Sequence, residues 1–216
     1  MQPTRTVDPT DPSEELVVLV SPDGRAIGTA PKATVHHADT PLHLAFSVYL
    51  YDDSGSLLVT QRALGKATFP GVWTNSACGH PAPGEPVEDA VRRRARDELG
   101  LDVHDLRLVL PRFSYRAEMH GVVEWEVCPV LVGRVSGVAP GVDPEPSEVE
   151  AAEWLPWDEF APDVLAGTRV VSTWCREQVT ELAALGPDPA AWPTADPADL
   201  PRAMTSHSSE RPAPLE

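Results

Sequence analysis

The chain has 216 residues, with 33 acidic and 17 basic side chains and a net charge of −16. That length suits one domain with tails, and the acidic excess argues against nucleic acid or an anionic membrane surface as a partner. No apolar run approaches the roughly 20 residues that span a bilayer, and the N-terminus lacks the apolar core of a signal peptide. A cytoplasmic protein is therefore expected, with Cys78, Cys128 and Cys175 as free thiols.

Residues 1–14 are polar and Pro-containing, and read as a disordered tail. An apolar run at 16–20, the turn Ser21-Pro22-Asp23-Gly24 and the stretch 26–30 predict a hairpin. A second hairpin is expected from 43–51, the turn 52–55 and 57–61, followed by a short strand over 72–77. Val87, Ala90, Val91, Ala95 and Leu99 recur at helical spacing, with Glu85, Glu88 and Asp89 at one end and Gly100 at the other. Strands are expected at 106–110, at 122–132 as one long element, and at 152–155. Helices follow at 158–165 and 170–185. Residues 187–216 are rich in Pro and Ala and read as a disordered or loosely docked tail, with Trp192 the one residue suited to docking. The domain proper would span 15–186. Many strands and few helices without a βαβ rhythm point to an α+β fold.

Glu124 and Glu126 lie two apart in a strand candidate, so their side chains share a face and Trp125 takes the other. Flanking Val122, Val123, Val127 and Val130 suggest a covered strand, where two carboxylates would need a metal or a proton. The plain alternative is the solvated face of an edge strand.

Residues 79–101 read Gly79-x5-Glu85-x7-Arg93-Arg94-Ala95-Arg96-Asp97-Glu98-Leu99-Gly100-Leu101. This resembles the Nudix box, a loop and helix whose carboxylates bind divalent metals that grip a diphosphate. Arg94 stands where that box has its first helical Glu, and Asp97 is a shortened acid. The departures suggest a box that holds a diphosphate rather than cleaving it.

The flanking segments are more specific. His36-x-Ala38-Asp39-Thr40-x-Leu42-His43, Gln61-Arg62-Ala63-Leu64-x-Lys66, Phe69-Pro70-Gly71-Val72-Trp73-Thr74-Asn75-Ser76-x-Cys78-Gly79-His80-Pro81, Tyr115-Arg116-Ala117 and Glu124-x-Glu126-Val127-Cys128-Pro129 occur in that order. Together they resemble the type 1 isopentenyl-diphosphate isomerases. The resemblance implies a Nudix-like mixed β-sheet core flanked by helices. It implies conversion of isopentenyl diphosphate to dimethylallyl diphosphate through a tertiary carbocation, in isoprenoid biosynthesis.

It also implies roles for particular residues. His36, His43, His80, Glu124 and Glu126 would hold a divalent transition metal, Mn2+ or Zn2+, which suits mixed imidazole and carboxylate ligands. Glu98 and the backbone carbonyl of Cys78 would hold Mg2+. Cys78, Glu126 and Tyr115 would move protons, with the acid and base undecided. Lys32, Arg62, Lys66 and Arg94 would surround the diphosphate, and Trp174 would cover the hydrocarbon end. Each residue alone has a plainer reading: core packing for a histidine or Trp174, surface charge for the cations, a solvated strand end for Tyr115.

The expected partner is a small isoprenyl diphosphate, and a monomer is plausible. Two rival readings fit the same residues. One is a Nudix hydrolase of a nucleoside diphosphate derivative; the other is a non-catalytic module that senses a diphosphate.

Overall fold

In the computed structural model, residues 15–205 are described; the expected tail at 1–14 and the end of the second tail lie outside them. The chain opens with β1 (Leu16–Val20) and β2 (Ala26–Pro31), paired antiparallel as the sequence predicts. A single turn, α1 (Lys32–Val35), leads to β3 (His43–Leu44) and β4 (Phe46–Tyr51). β5 (Ser56–Arg62) returns, then come β6 (Trp73–Thr74), β7 (Ala77–Gly79) and the helix α2 (Val87–Leu99). β8 (His104–Leu110), β9 (Ser114–Met119), β10 (Val122–Val127), β11 (Val130–Arg134) and β12 (Val149–Pro156) complete the strands. Helices α3 (Trp157–Ala166), α4 (Thr173–Ala184) and α5 (Arg202–Thr205) follow. The mixture is α+β. Among the described residues no helix is long and apolar enough to cross a membrane.

The strands form two sheets, ordered β2-β1-β3-β10-β9 and β12-β5-β4-β11-β8. Two chain segments pass through both. β3 runs into β4, and β10 runs into β11, side by side and parallel in each sheet. The long strand expected over 122–132 therefore breaks in two. Pro129 has no N–H for a ladder, and the break at Cys128-Pro129 lets the segment change sheets. Val127 and Pro129 carbonyls accept from Ala45 and Ser47 across the join (2.9 and 3.0 Å).

The expected hairpin of 43–51 with 57–61 forms only at its tip, where Tyr51 faces Leu57. Beyond it β4 and β5 separate, and the segment 73–79 enters between them. β6 pairs with β5, and β7 pairs with β4 so that Ser47 faces Cys78. This splayed pair opens the fold where the candidate site lies.

Helix α2 carries the box. Glu88 and Asp89 sit in its first turn, and Gly100 ends it in the left-handed region at φ 66°, which favours glycine. Val87, Ala90, Val91, Ala95 and Leu99 pack on the β4 side carrying Phe46, Val48 and Leu50. A Cβ on Gly79 would lie 2.9 Å from Arg94 Cγ and 3.0 Å from the Phe46 ring, so the first glycine of the box is what lets β7 close on α2.

The segment from 187 to 205 corrects the expectation of a loose tail. Trp192 is 2% exposed and meets Tyr51 and Trp157 edge to face. Arg107 donates to the carbonyls of Pro189 and Trp192, and Ala195 N–H to that of Leu108. Farther on, Ala203 N–H donates to Gly24 in the first hairpin, and Met204 packs beside Val18, Val20 and Leu44. Its low apolar periodicity hides a strap that spans both sheets.

Candidate functional site

A pocket of about 680 Å³ opens where β4 and β5 separate. Every residue to which the resemblance gives a role lines it except His43, which is fully buried.

Three imidazoles meet at its floor. The ring centroids of His36, His43 and His80 are 5.1 to 5.5 Å apart, although α1, β3 and β7 bring them from separate stretches. Glu126 stands opposite His43 in the parallel β3–β10 pair. His36, His43, His80 and Glu126 each offer a ligand atom within 4.8 Å of the others. Glu124, expected as a fifth ligand, is not among them: one of its oxygens faces Arg62 at 3.7 Å and the other accepts from Tyr115.

The donor pattern fits a cation. His43 Nδ1 lies 2.8 Å from the carbonyl of Pro41, so this nitrogen donates and fixes the tautomer. Its Nε2 is then an acceptor aimed at Glu126 Oε1, 3.4 Å away, with no hydrogen-bond partner. Two acceptors at that distance need a proton or a metal between them. His36 Nε2 and His80 Nδ1 are likewise buried and unpartnered. Burial and the neighbouring His80 charge push His36 down to about 3, so it offers a neutral ring at neutral pH. Burial likewise lowers His80.

Glu124 and Glu126 share the inner face of β10, and Trp125 points outward, as the period of 2 requires. The Tyr115 hydroxyl lies 3.0 Å from Glu124 and 2.8 Å from Glu126. Burial keeps this phenol protonated, well above its usual pKa. Its one proton serves one carboxylate at a time. Burial and the charge of Glu126 raise Glu124, whereas in Glu126 the opposing effect of burial is overcome by the neighbouring His43 and His80 imidazoles, the latter 3.1 Å away.

Cys78 lies on β7, partly buried, with its sulfur 3.3 Å from Ser47 Oγ and from Asn75 Oδ1. Burial pushes the thiol up, and these hydrogen bonds oppose the rise. Cys128 and Cys175 are fully buried. Trp174 is 1% exposed, lies between Phe69 and Tyr115, and takes the Arg62 guanidinium over its ring at 5.6 Å.

The cations gather on another wall, each with a carboxylate. Arg94 pairs with Glu98 one turn along α2 and approaches Glu148 at 3.4 Å. Lys66 pairs with Glu148, and Lys32 with Glu15 at 2.5 Å. Arg62 is held by the carbonyls of Thr68 and Phe69. Arg94 and Glu98 are buried, whereas Asp97 is exposed and Arg93 turns back to Glu85. The box thus presents one acid and one cation to the pocket. Glu15 and Glu148 carry no motif, and only the long-range pairing exposes their place here.

Fold and floor together define a class, a Nudix-type domain with three histidines and a glutamate placed so that they could hold a metal ion. The NUDIX domain model matches residues 41–175. A crystal structure from Deinococcus radiodurans has the same fold, with a TM-score of 0.57 at 20% identity over 77% of this chain and 98% of that one. The isopentenyl-diphosphate Delta-isomerase of Saccharopolyspora erythraea is 57% identical over 194 residues, which is 88% of this chain and 96% of the relative. Its namesake from Rhizobium rhizogenes is 50% identical over 196 residues, 90% and 93% of the two chains. The chain belongs to the isopentenyl-diphosphate Delta-isomerase family of Nudix-domain proteins.

Proposed function

We propose that Cys78 and Glu126 move the protons by which this isopentenyl-diphosphate isomerase of isoprenoid biosynthesis makes dimethylallyl diphosphate. The observation that carries the reading is a single pocket uniting a thiol, a tyrosine-bonded carboxyl and four cations in a strongly acidic chain.

The alkene is a poor base, so a proton reaches its C4 only from an acid in a dry setting. Glu126 is that acid group, oriented by Tyr115. Cys78 takes the proton from C2. Which of the two gives and which takes reverses with the direction of reaction. The tertiary cation between these steps must be kept from water, and Trp174 shields it with its π face, an attraction of about 2 kcal/mol when desolvated. Lys32, Arg62, Lys66 and Arg94 bind the diphosphate and supply binding energy remote from the reacting carbons.

His36, His43, His80 and Glu126 would hold Mn2+ or Zn2+, with Glu124 beside them. Glu98 and the carbonyl of Cys78 would hold Mg2+. Bound there, divalent ions supply charge neutralisation for the diphosphate and an electrostatic hold on the acid. We place the reaction in the cytoplasm, a reading supported by three cysteines without a disulfide among the described residues.

The test is proton NMR of purified protein with isopentenyl diphosphate and Mg2+ in deuterated water. Dimethylallyl diphosphate carrying deuterium in its carbon skeleton is the expected product. Unchanged substrate with metal-loaded, folded protein would sink the reading, and phosphate release from nucleoside diphosphate derivatives would replace it with hydrolysis.

A further inference from the structure

Behind Cys78, between β4 and α4, lies a chain of buried polar side chains that the chemistry above does not use. Asn75 is fully buried, and its amide nitrogen donates to the carbonyls of Val48 (3.1 Å) and Ala77 (2.8 Å). Both partners only accept, so the amide orientation is fixed and Oδ1 is left facing the sulfur. That oxygen accepts from the Cys78 thiol at 3.3 Å and from the Trp174 indole at 3.2 Å.

The other side of the sulfur is different. The Tyr49 hydroxyl donates to Gln178 Oε1 at 3.0 Å, and Gln178 Nε2 donates to Ser47 Oγ at 2.9 Å. Ser47 oxygen is already an acceptor, so its own proton is free to point at a sulfur, either Cys78 at 3.3 Å or Cys128 at 3.4 Å. Ser47, Tyr49 and Gln178 are all fully buried. A dry core tolerates such groups only when they are satisfied, since each orphan costs about 1–3 kcal/mol. Here the row of donors runs one way and ends at the Cys78 and Cys128 sulfurs, Cys78 the nearer.

We propose that Ser47, oriented by Gln178 and Tyr49, is a positioning residue that donates a hydrogen bond to the Cys78 sulfur while that sulfur exchanges its proton with the substrate. Asn75 accepts the S–H bond when the proton is on sulfur. When the proton leaves for carbon, Asn75 loses one of its donors but keeps those of Trp174 and Thr74, while the Ser47 hydroxyl, already directed at the Cys78 sulfur, stays on it. Nothing moves but the substrate's proton. Trp174 and Gln178 stand four residues apart on α4, so one helix braces the thiol from both sides. The inference rests on the reading of Cys78 as a proton-moving group.

The test pairs kinetics with the infrared S–H band of Cys78, assigned by its loss in Cys78→Ala. Ser47→Ala is expected to lower kcat roughly tenfold to a hundredfold, the worth of a hydrogen bond to a charged group, with KM within about twofold. Gln178→Met keeps Ser47 but frees it, and should lower kcat by a smaller factor; the double variant should be no worse than Ser47→Ala. Both single variants should shift the S–H band. A folded Ser47→Ala with unchanged kcat, or with an unmoved band, overturns the proposal. If Ser47→Ala does not fold, Gln178→Met is judged on the same two readouts. The band needs no turnover, so an inactive wild type would defeat the proposed function while an unmoved band would still defeat this inference.

Discussion

Strand β4 is buried at all six positions, yet its two sides have different chemistry. Phe46, Val48 and Leu50 face α2 through a layer of Val, Ala and Leu. Ser47 and Tyr49 face α4, where Gln178, Asn75 and two buried cysteines interrupt the apolar packing. One side is made by filling space; the other is made by satisfying donors and acceptors. The first secures the fold and the second fixes where reactive atoms stand.

The largest effects should come from the polar side. Cys78→Ala and Glu126→Gln should each lower turnover by about 10² to 10⁴, the range for a lost proton-transfer group. Circular dichroism and the melting transition should show Cys78→Ala folded. Near-normal activity in either variant would remove that residue from the chemistry and leave the two sides of β4 functionally alike.

On the apolar side the order reverses. Leu50 is fully buried against the α2 layer, and Leu50→Ala should cost about 2–5 kcal/mol in urea unfolding, by lost burial and the cavity left behind. Turnover per folded molecule should stay within about twofold. A large fall in kcat at low temperature, where the variant is still folded, would mean that packing under α2 also sets the site.

The same contrast explains what the sequence makes legible. The α2 face was readable because apolar spacing and a Gly stop are local signals, and the first hairpin for the same reason. The floor of the site is legible through motif resemblance, which points to His36, His43, His80 and Glu126, four residues that the fold brings together. β9 has no clear local signal, because Tyr115 and Ala117 alternate with charged Arg116 and Glu118 and give little apolar weight. The break at Cys128-Pro129 had its signal in Pro129, outweighed by a run of valines. Ser47, Gln178, Glu15 and Glu148 depend on contacts between residues far apart in the chain, which no local pattern encodes. Trp192 gave the single sign that the last segment docks.

The smallest effect should fall between the two carboxylates of β10. Trp125 sits between Glu124 and Glu126 but is 40% exposed, because strand geometry turns it away from the pocket. Trp125→Thr keeps a residue suited to strands and should change stability by about 0.5 kcal/mol or less, as most surface substitutions do. Its kcat should match the wild type. The expected contrast with Glu126→Gln, one residue along the same strand, isolates side-chain direction from position in sequence. If Trp125→Thr instead lost activity while remaining folded, the outer face of β10 would contribute to the site, and the separation of roles by strand face would hold for β4 alone.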